Sequence, residues 1–504
     1  MEAFRVSSTA ITERLDPGHY RPMLVENDAL LRRFGSRALA DFYLRSGIGH
    51  TAAVTPHYTL DGDGVAFVSG GCIVGGHLEL AGAARIQRSA HLGIMSGSRL
   101  EPGFVLLVRK GELGNSAVVP SGTEVNCSSE VMFLEMRPDG DSGFVSSYFN
   151  SCHGRMAFLR QQRGMMIPSI SLYDVPELPV PALAPDAQRY IGDKVRQAER
   201  LRARARREEQ ESSAFFNLAE WTQPRAGRRR SYVTGRQAMR SERLDAAFYD
   251  PAHDAQEAVL QARGAIRLSQ LASLIEDRWN RVGKEFAYFE IGELDIGSGV
   301  IFPSRVQVAG APSRAQIRVE PWDVLVSTVR PNRKNVGLVP VSDEALPLVA
   351  STGFGVLRFA TPERAVFYHA FLRSDAATQQ LMRWNSGATY PAIESDVPLQ
   401  VLAPDFDDDV VQQKGARWLK KFQALDASQR LTTVSKLLVE HLIDGRITEA
   451  DLIAAQKALE AGDRSADRAI LQSLRQGDAA DAAPLIPDLD GLYALLDEPD
   501  EGTD

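Results

Sequence analysis

The sequence predicts an α+β protein of two tandem pseudo-repeated domains, each followed by a long helix, with the two helices paired as an antiparallel coiled coil. Three observations predict this fold. Blocks of sequence recur in the same order in both halves, short β-branched runs bounded by Gly, Pro and Asn fill each half, and each half ends in a long amphipathic segment. The length of 504 residues fits a duplication, because a single hydrophobic core rarely grows so large.

The repeat consists of several blocks. "ERLDPGHYRP" (13–22) matches "ERLDAAFYDP" (242–251) at six of ten positions, and Glu101–Pro120 aligns with Glu320–Pro340. "SSEVMFLEM" then aligns with "TGFGVLRF", and "GMMIPSI" (164–170) with "GATYPAI" (387–393). Each of the last two blocks precedes "DVP" and then "APD". All offsets lie between 218 and 229, which indicates two copies of one domain.

The Gly-x-x-x-Pro-x-Ile block is interpreted as a structural joint that ends one element and directs the chain toward the long helix. Residues 371–387 have helical apolar spacing, and the glycine that ends them supplies a positive φ before a proline that stops the helix. Tyr390 has no counterpart in the first copy, where Ile167 stands, which argues against a shared catalytic role. The joint residues are Gly164, Pro168, Gly387 and Pro391.

Each copy ends in a segment with an apolar seam, 186–216 in the first copy and about 407–445 in the second. In the first segment the seam residues recur at spacings of four and three: Ile191, Val195, Ala198, Leu201 and Ala205. A seam of this length needs a partner, and the other copy's helix is the simplest one. The alternative is that each helix packs only on its own domain.

Composition and motifs exclude several classes of protein. No apolar run approaches the ~18 residues of a membrane span, and the start of the chain does not resemble a secretory signal. Three widely spaced cysteines predict neither disulfides nor a zinc site and fit a reducing cytoplasm. Phosphate-loop, dinucleotide-binding, zinc-protease and nucleophile-elbow motifs are absent, so we expect no catalytic residues, no metal and no cofactor of its own.

The formal charge of −8 conceals a near-neutral body. Residues 476–504 hold nine acidic residues and no Lys or Arg, so removing those nine charges from −8 leaves +1. Basic and amide side chains recur in the loops of both copies, where Arg matches guanine, Asn matches adenine and Lys neutralises phosphate. The alternative is that they are ordinary solvated charges. The candidate DNA-binding residues are Arg85, Arg88, Arg109, Lys110, Arg278, Arg281, Lys284, Arg330, Asn332, Arg333, Lys334 and Asn335.

Over about residues 10–450 the chain resembles the specificity subunit of type I restriction–modification systems. The resemblance rests on two copies opening with "RLD…Y", on "DVLVSTVRP", on Gly-x-x-x-Pro-x-Ile before a long helix, and on "LLVEHLIDGRITEADL" (437–452). It implies a non-catalytic DNA-binding subunit in which each copy recognises one half of a bipartite DNA target. It also implies that the paired helices hold the copies apart and dock two adenine methyltransferase subunits. A restriction or translocase subunit as a further partner is left open, and S-adenosylmethionine and ATP are expected on the partner subunits.

The resemblance assigns residues 1–182 and 230–404 to two target-recognition domains. It assigns residues 183–229 to a central spacer helix and linker and 405–455 to a second spacer helix. An acidic tail, 456–504, lies outside the family core; we expect it to be disordered or to dock a partner, and a third interpretation is an acidic mimic that folds over a basic surface. Two alternatives to the function are the same scaffold in a methylation-linked phage-defence system without a restriction subunit, and a protein-docking duplication that never binds DNA.

Overall fold

The computed structural model of the protein describes residues 14, 16–164, 168–217, 243, 245–341, 346–386, 390–475 and 483–499. The chain divides into two compact units. Unit 1 consists of Met1–Arg202 and Asp426–Asp504, and unit 2 consists of Ala203–Leu425. None of the described helices is both long and apolar enough to cross a membrane.

Equivalent helices of the two copies begin at equivalent capping side chains. Ser151 and Ser374, which are 223 positions apart, each accept a hydrogen bond from a backbone N–H of the first helical turn. The helices are α1 (Pro22–Phe34), α2 (Arg88–Leu92), α3 (Ser142–Asn150), α4 (Cys152–Arg160), α5 (Pro185–Phe216), α6 (Pro251–Ala262), α7 (Pro362–Leu372), α8 (Asp375–Arg383), α9 (Asp408–Ile443), α10 (Glu449–Glu460), α11 (Ser465–Ser473) and α12 (Leu489–Asp497).

Unit 1 contains a four-stranded and a five-stranded sheet, together with smaller two-stranded pairs. Its strands are β1 (Ser36–Ala38), β2 (Tyr43–Ile48), β3 (Tyr58–Thr59), β4 (Val65–Val68), β5 (Ile73–Val74), β6 (His77–Leu78), β7 (Ala84–Ile86), β8 (Arg99–Leu100), β9 (Val105–Val108), β10 (Ser116–Val118), β11 (Val125–Cys127), β12 (Val131–Met136), β13 (Gln162–Arg163), β14 (Ser169–Ile170) and β15 (Pro179–Pro181). The sheets have the orders β10-β9-β12-β2 and β3-β7-β4-β11-β8. The pair β4–β11 is parallel.

Unit 2 repeats this arrangement. Its strands are β16 (Ile266–Arg267), β17 (Ala272–Leu274), β18 (Glu285–Phe289), β19 (Leu294–Asp295), β20 (Val300–Ile301), β21 (Ser304–Gln307), β22 (Ala315–Arg318), β23 (Val324–Ser327), β24 (Val336–Leu338), β25 (Leu348–Ser351), β26 (Phe354–Phe359) and β27 (Leu402–Ala403). The order β17-β26-β23-β24 matches β2-β12-β9-β10, and β21-β18-β25-β22 matches β7-β4-β11-β8. The central pair β18–β25 is parallel, like its counterpart. The predicted duplication is therefore confirmed at the level of strand order and direction.

The long helices α5 and α9 pack together, as predicted. In unit 2, Lys421 Nζ donates to Glu209 Oε2 at 2.6 Å, and Lys414 Nζ donates to Glu211 Oε1 at 2.9 Å. Residue numbers rise along one helix as they fall along the other, so the pair is antiparallel. In unit 1, Arg202 Nη2 donates to Thr432 Oγ1 at 2.6 Å. The whole predicted seam of α5, from Ile191 to Ala205, is buried.

These contacts exclude the alternative in which each helix packs only on its own domain, although α9 also contributes to the core of unit 2. The indole of Trp418 stacks on Phe367, with ring centroids 5.5 Å apart, and Phe216 of α5 lies edge-on to Trp418 at 5.8 Å. Each long helix therefore has a face wide enough to contact both the other helix and its own unit. A seam of only two positions per heptad would not allow this.

The acidic tail is ordered over its described residues, which corrects the expectation of disorder. Its apolar side chains are buried, including Leu485, Leu492 and Tyr493. Asp467 of α11 is buried and accepts hydrogen bonds from Lys194 Nζ of α5 at 2.5 Å and from the hydroxyl of Tyr493 at 2.6 Å. The apolar residues and one buried ion pair fold the tail back on unit 1 in spite of its charge.

Candidate nucleic-acid interface

In the first copy, the Gly-x-x-x-Pro-x-Ile block meets the turn that follows β9. The backbone N–H of Gly111 donates to the carbonyl of Pro168 at 3.2 Å, and the N–H of Ile170 donates to the carbonyl of Arg109 at 3.1 Å. Gly164 has a φ of +84°, the left-handed conformation that the sequence predicted for its counterpart Gly387. The block lies beside the turn and pairs with it.

The second copy repeats both hydrogen bonds at the equivalent residues. The N–H of Arg330 donates to the carbonyl of Pro391 at 2.7 Å, and the N–H of Ile393 donates to the carbonyl of Thr328 at 2.9 Å. Gly387 lies outside the described residues. In both copies the block therefore supports the turn between two strands of the sheet. The role of the block as a joint toward the long helix stays a prediction; α5 begins at Pro185.

The Arg-Leu-Asp motif that opens each copy also has a structural explanation. Arg243 Nη1 and Nη2 donate to the carbonyls of Trp384 and Asn385, both at 3.0 Å, while Nε donates to Asp245 at 2.7 Å. The hydroxyl of Tyr249 donates to the carbonyl of Arg243 at 2.7 Å. This guanidinium therefore ties the start of the domain to the end of α8.

The same ties recur in the first copy. Arg14 Nη2 donates to the carbonyl of Gln162 at 2.7 Å, and the hydroxyl of Tyr20 donates to the carbonyl of Arg14 at 2.6 Å. The Arg-Leu-Asp motif thus has a structural role: in each copy it connects the start of the copy to later residues of the same copy.

The sequence "RPNRKN" forms the predicted turn between two strands, β23 and β24, which pair antiparallel. A short 3₁₀ helix, Pro331–Arg333, is flanked by Arg330 and Lys334, whose φ angles of 51° and 58° are both left-handed. Such a backbone costs about 1–3 kcal/mol for a residue with a side chain and is concentrated at functional sites. The turn therefore holds Arg330 and Lys334 in a strained backbone conformation.

Glycines occupy the corresponding left-handed positions in the first copy. Gly111 and Gly114 each have a φ of +85°. The register is fixed at the next residue, because Val108 N–H donates to the carbonyl of Asn115 at 2.9 Å, as Ser327 N–H donates to the carbonyl of Asn335 at 2.9 Å. The turn of the second copy is one residue longer and contains the 3₁₀ helix, so the two turns share their supporting hydrogen bonds but differ in length and in side chains.

The side chains of the "RPNRKN" turn have different environments. Asn332 and Arg333 are exposed. Lys334 Nζ forms an ion pair with Asp375 at 2.9 Å. Asn335 is only 7% exposed, as its counterpart Asn115 is buried, which favours a structural role for this one member of the predicted set. The guanidinium of Arg330 lies 4.8 Å from the centroid of the Tyr390 ring.

The second predicted basic loop lies on the other sheet of unit 2, beside the edge strand β22. Arg278 forms a β-bridge with Ile317 and contacts the amide of Gln316. Arg281 has a φ of 57° and donates to the carbonyl of Pro312 at 3.4 Å. Lys284 is exposed. This loop does not share a strand with the "RPNRKN" turn.

Two arginines that the sequence analysis did not select lie on the same sheet edge. Arg314, immediately before β22, and Arg318, at its end, are both exposed, whereas Ala315 and Ile317 of the same strand are buried. The alternation in "SRAQIR" places both arginines on the outward face of a strand, and this period-two pattern is the signal that identifies them. With Arg278 and Arg281 they form the basic edge of unit 2.

In the first copy, the four predicted residues lie on two different sheets. Arg85 of β7 donates to the carbonyl of Gly64 at 2.5 Å, and Arg88 at the start of α2 pairs with Glu124 at 2.8 Å. Lys110 forms a β-bridge with Ser169. Arg109 donates to the carbonyl of Ser129 at 2.9 Å, and burial lowers the pKa of its guanidinium. Arg109 is thus partly buried and bound to a backbone carbonyl, whereas Arg88 is half exposed.

No group of three or more His, Cys, Asp or Glu side chains able to hold a metal ion occurs in the part of the chain that the structure describes. Several histidines within the same residues form structural contacts. His369, for example, lies between the carbonyls of Gly299 and Val336, both at 3.2 Å, and burial lowers its pKa well below the ordinary value.

No protein-family model matches the chain, and no curated protein matches it. Among solved structures, a type I restriction–modification S subunit from M. genitalium is similar, with a TM-score of 0.39 and 14% identity over 82% of this chain and 96% of that chain. An HsdS subunit from Thermoanaerobacter tengcongensis has a TM-score of 0.27 and 14% identity over 82% and 97% of the two chains. A chain from a structure on complex assembly and conformational transition of the type I R-M system has a TM-score of 0.27 and 15% identity, over 84% and 97%.

Proposed function

We propose that this protein is a non-catalytic, sequence-specific DNA-binding subunit that recognises a bipartite target and directs a partner adenine methyltransferase to it. Residues 1–182 and 230–404 serve as two target-recognition domains, one for each half of the target. The spacer helices in 183–229 and 405–455 set the gap between the halves, and the acidic tail is 456–504.

One observation carries this proposal: the two copies keep the same supporting hydrogen bonds and differ in the side chains of the turn. Pro168 and Pro391 accept equivalent bonds, while glycines in one copy are replaced by Arg330 and Lys334 in the other. Two domains that recognise different DNA sequences need a conserved backbone support for the turn. They also need different cationic side chains on that turn. A purely structural duplication has no need of left-handed arginine and lysine.

The chemistry of the exposed side chains suits duplex DNA. An arginine fork matches the O6 and N7 atoms of guanine in the major groove, and each good bidentate pair is worth about 1–3 kcal/mol of discrimination. Arginines along the basic edge of unit 2 can neutralise phosphates, which orients the reader without specifying sequence. Two linked readers bind tightly only where the spacing of the half-sites fits.

The partners follow from the resemblance to type I specificity subunits. Two methyltransferase subunits dock on the paired helices in the cytoplasm, and a restriction or translocase subunit joins them in a full restriction system. S-adenosylmethionine and ATP bind to those partners, since the chain itself has no sequence motif for either. The subunit determines which DNA sequence is bound, and its partners carry out the reactions on that DNA.

The test is to co-express the chain with an adenine methyltransferase subunit of a type I system that binds it and to map methylated adenines across the genome. We expect a bipartite motif with a fixed gap. A continuous motif, or no motif, would contradict the proposal. Replacement of Arg330, Arg333 and Lys334 together by alanine should alter one half of the motif only. Replacement of Arg85 and Arg88 is the matched control and should alter only the other half.

Salt dependence separates DNA binding from protein docking. The affinity for a duplex should fall steeply as salt rises, with a slope in log–log form of about 0.9 per neutralised phosphate. A duplication that only docks proteins predicts no duplex binding at any salt concentration.

A further inference from the structure

The Arg330 side chain is retained at a position where the backbone favours glycine. Its φ and ψ angles are 51° and 56°, and Gly111 occupies the equivalent position in the first copy with the same hydrogen bond to the proline of the joint block. A glycine at 330 would satisfy the turn without strain. Any advantage of arginine over glycine at position 330 must therefore come from the arginine side chain.

The side chain of Arg330 is held in place by Tyr390. The guanidinium carbon is 4.8 Å from the ring centroid, within the range of a cation–π contact. The carbonyl of the next residue, Pro391, accepts the hydrogen bond from Arg330 N–H at 2.7 Å, so the backbone and the side chain of Arg330 contact the same loop. Among the described residues, the Arg330 guanidinium has no carboxylate partner.

Tyr390 lies at the surface, and Arg330 beside it is partly exposed. Tyr390 is 62% exposed. A guanidinium that stacks through its face keeps the N–H donors in its plane available, and those donors match the O6 and N7 atoms of guanine. A side chain already fixed before binding also loses less rotamer entropy on contact with a base.

We infer that Arg330 selects a guanine in the half-site read by the second copy, and that Tyr390 is the residue that positions it. This inference rests on the proposed function and deepens it. The first copy has Gly111 at the position of Arg330 and Ile167 at the position of Tyr390. The Arg330–Tyr390 pair therefore acts on one half-site alone.

The test compares methylation motifs, with the intact chain and its partner methyltransferase, for variants of these two residues. In Arg330→Gln, the preference for guanine at one position of one half-site should fall by about 5- to 150-fold, and adenine should be gained there because glutamine matches adenine. Tyr390→Leu should weaken the preference at the same position, and Tyr390→Phe should retain it. Tyr173→Leu removes another exposed tyrosine, in the first copy, and should leave that position unchanged.

A stability measurement separates recognition from folding. Arg330→Gly reproduces the residue of the first copy, so its melting temperature should be equal to or above that of the parent, while the guanine preference is lost. A lowered melting temperature together with loss of the whole half-site would assign Arg330 a structural role and overturn the inference.

The outcomes for the two proposals differ. A bipartite motif in the parent with unchanged guanine frequency in Arg330→Gln or Tyr390→Leu overturns the inference and leaves the proposed function standing. Absence of a bipartite motif in the parent overturns the proposed function and, with it, the inference.

Discussion

The buried Asp467 carboxylate should decide whether the acidic tail stays docked. It accepts hydrogen bonds from Lys194 Nζ at 2.5 Å, from the Tyr190 hydroxyl at 2.7 Å and from the Tyr493 hydroxyl at 2.6 Å. Asp467 and Lys194 are each 1% exposed. Burial alone would raise the pKa of Asp467, but Lys194 and the hydroxyls outweigh it, so the pKa lies below its ordinary value. The ionised pair is therefore the state that holds α11 on α5.

Asp467→Asn leaves the Lys194 ammonium buried without a counter-charge. Breaking one side of a buried ion pair costs about 3–5 kcal/mol, so the free energy of local opening of α11 should fall by that amount, limited by the docking energy of the tail itself. Hydrogen exchange of the intact chain measures this opening at the amides of α11.

The matched control is Asp490→Asn in the same tail. Asp490 pairs with Arg468 at 2.7 Å, but its side chain is 86% exposed, so the change should cost less than about 1 kcal/mol. If Asp467→Asn and Asp490→Asn change the exchange of α11 by the same small amount, the buried pair does not hold the tail and the reasoning is refuted.

Three further predictions concern pH and the Arg-Leu-Asp motif. Because the folded pKa of Asp467 is lowered, its stabilisation is present above the unfolded pKa near 3.8 and is lost as pH falls through the lower folded pKa; exchange of α11 should therefore accelerate only below about pH 4. Burial lowers the pKa of Lys421 from 10.5 to about 8, so the unfolded chain binds more protons between these values, and unit 2 should gain up to about 3 kcal/mol as pH rises from 8 to 10.5. Denaturation of Lys421→Met should lack this rise, and an identical rise in both proteins would count against it. Arg243→Lys loses two bonds to backbone carbonyls, so its free energy of unfolding should fall by about 1.5–3 kcal/mol with no change in the recognised DNA sequence; an altered half-site motif without destabilisation would contradict the structural role.

The elements that the sequence predicted well are those that local periodicity specifies. The long helices were expected at 186–216 and about 407–445 and are found at Pro185–Phe216 and Asp408–Ile443. Apolar residues at helical spacing determine both the element and its buried face without reference to the rest of the fold. The turn of "RPNRKN" between two strands is local in the same sense.

The candidate site was predicted less completely, because exposure depends on neighbours that are distant in sequence. Arg109 and Arg333 are both arginines near the end of a strand, yet Arg109 donates to the carbonyl of Ser129 while Arg333 is exposed. Arg314 and Arg318 were missed because a single charge on alternate strand positions is a weak signal until the burial of the residues between them is known.

By itself, therefore, the sequence determined that the protein is a duplication with two long helices, since repeats and periodicity are properties of the chain order. The tertiary structure decided how the repeated motifs are used. It pairs the Gly-x-x-x-Pro-x-Ile block with a turn about 60 residues away in the first copy and folds the acidic tail onto α5 through Asp467. Both outcomes depend on hydrogen bonds and ion pairs between distant residues, whose strength comes from burial that no local pattern reveals.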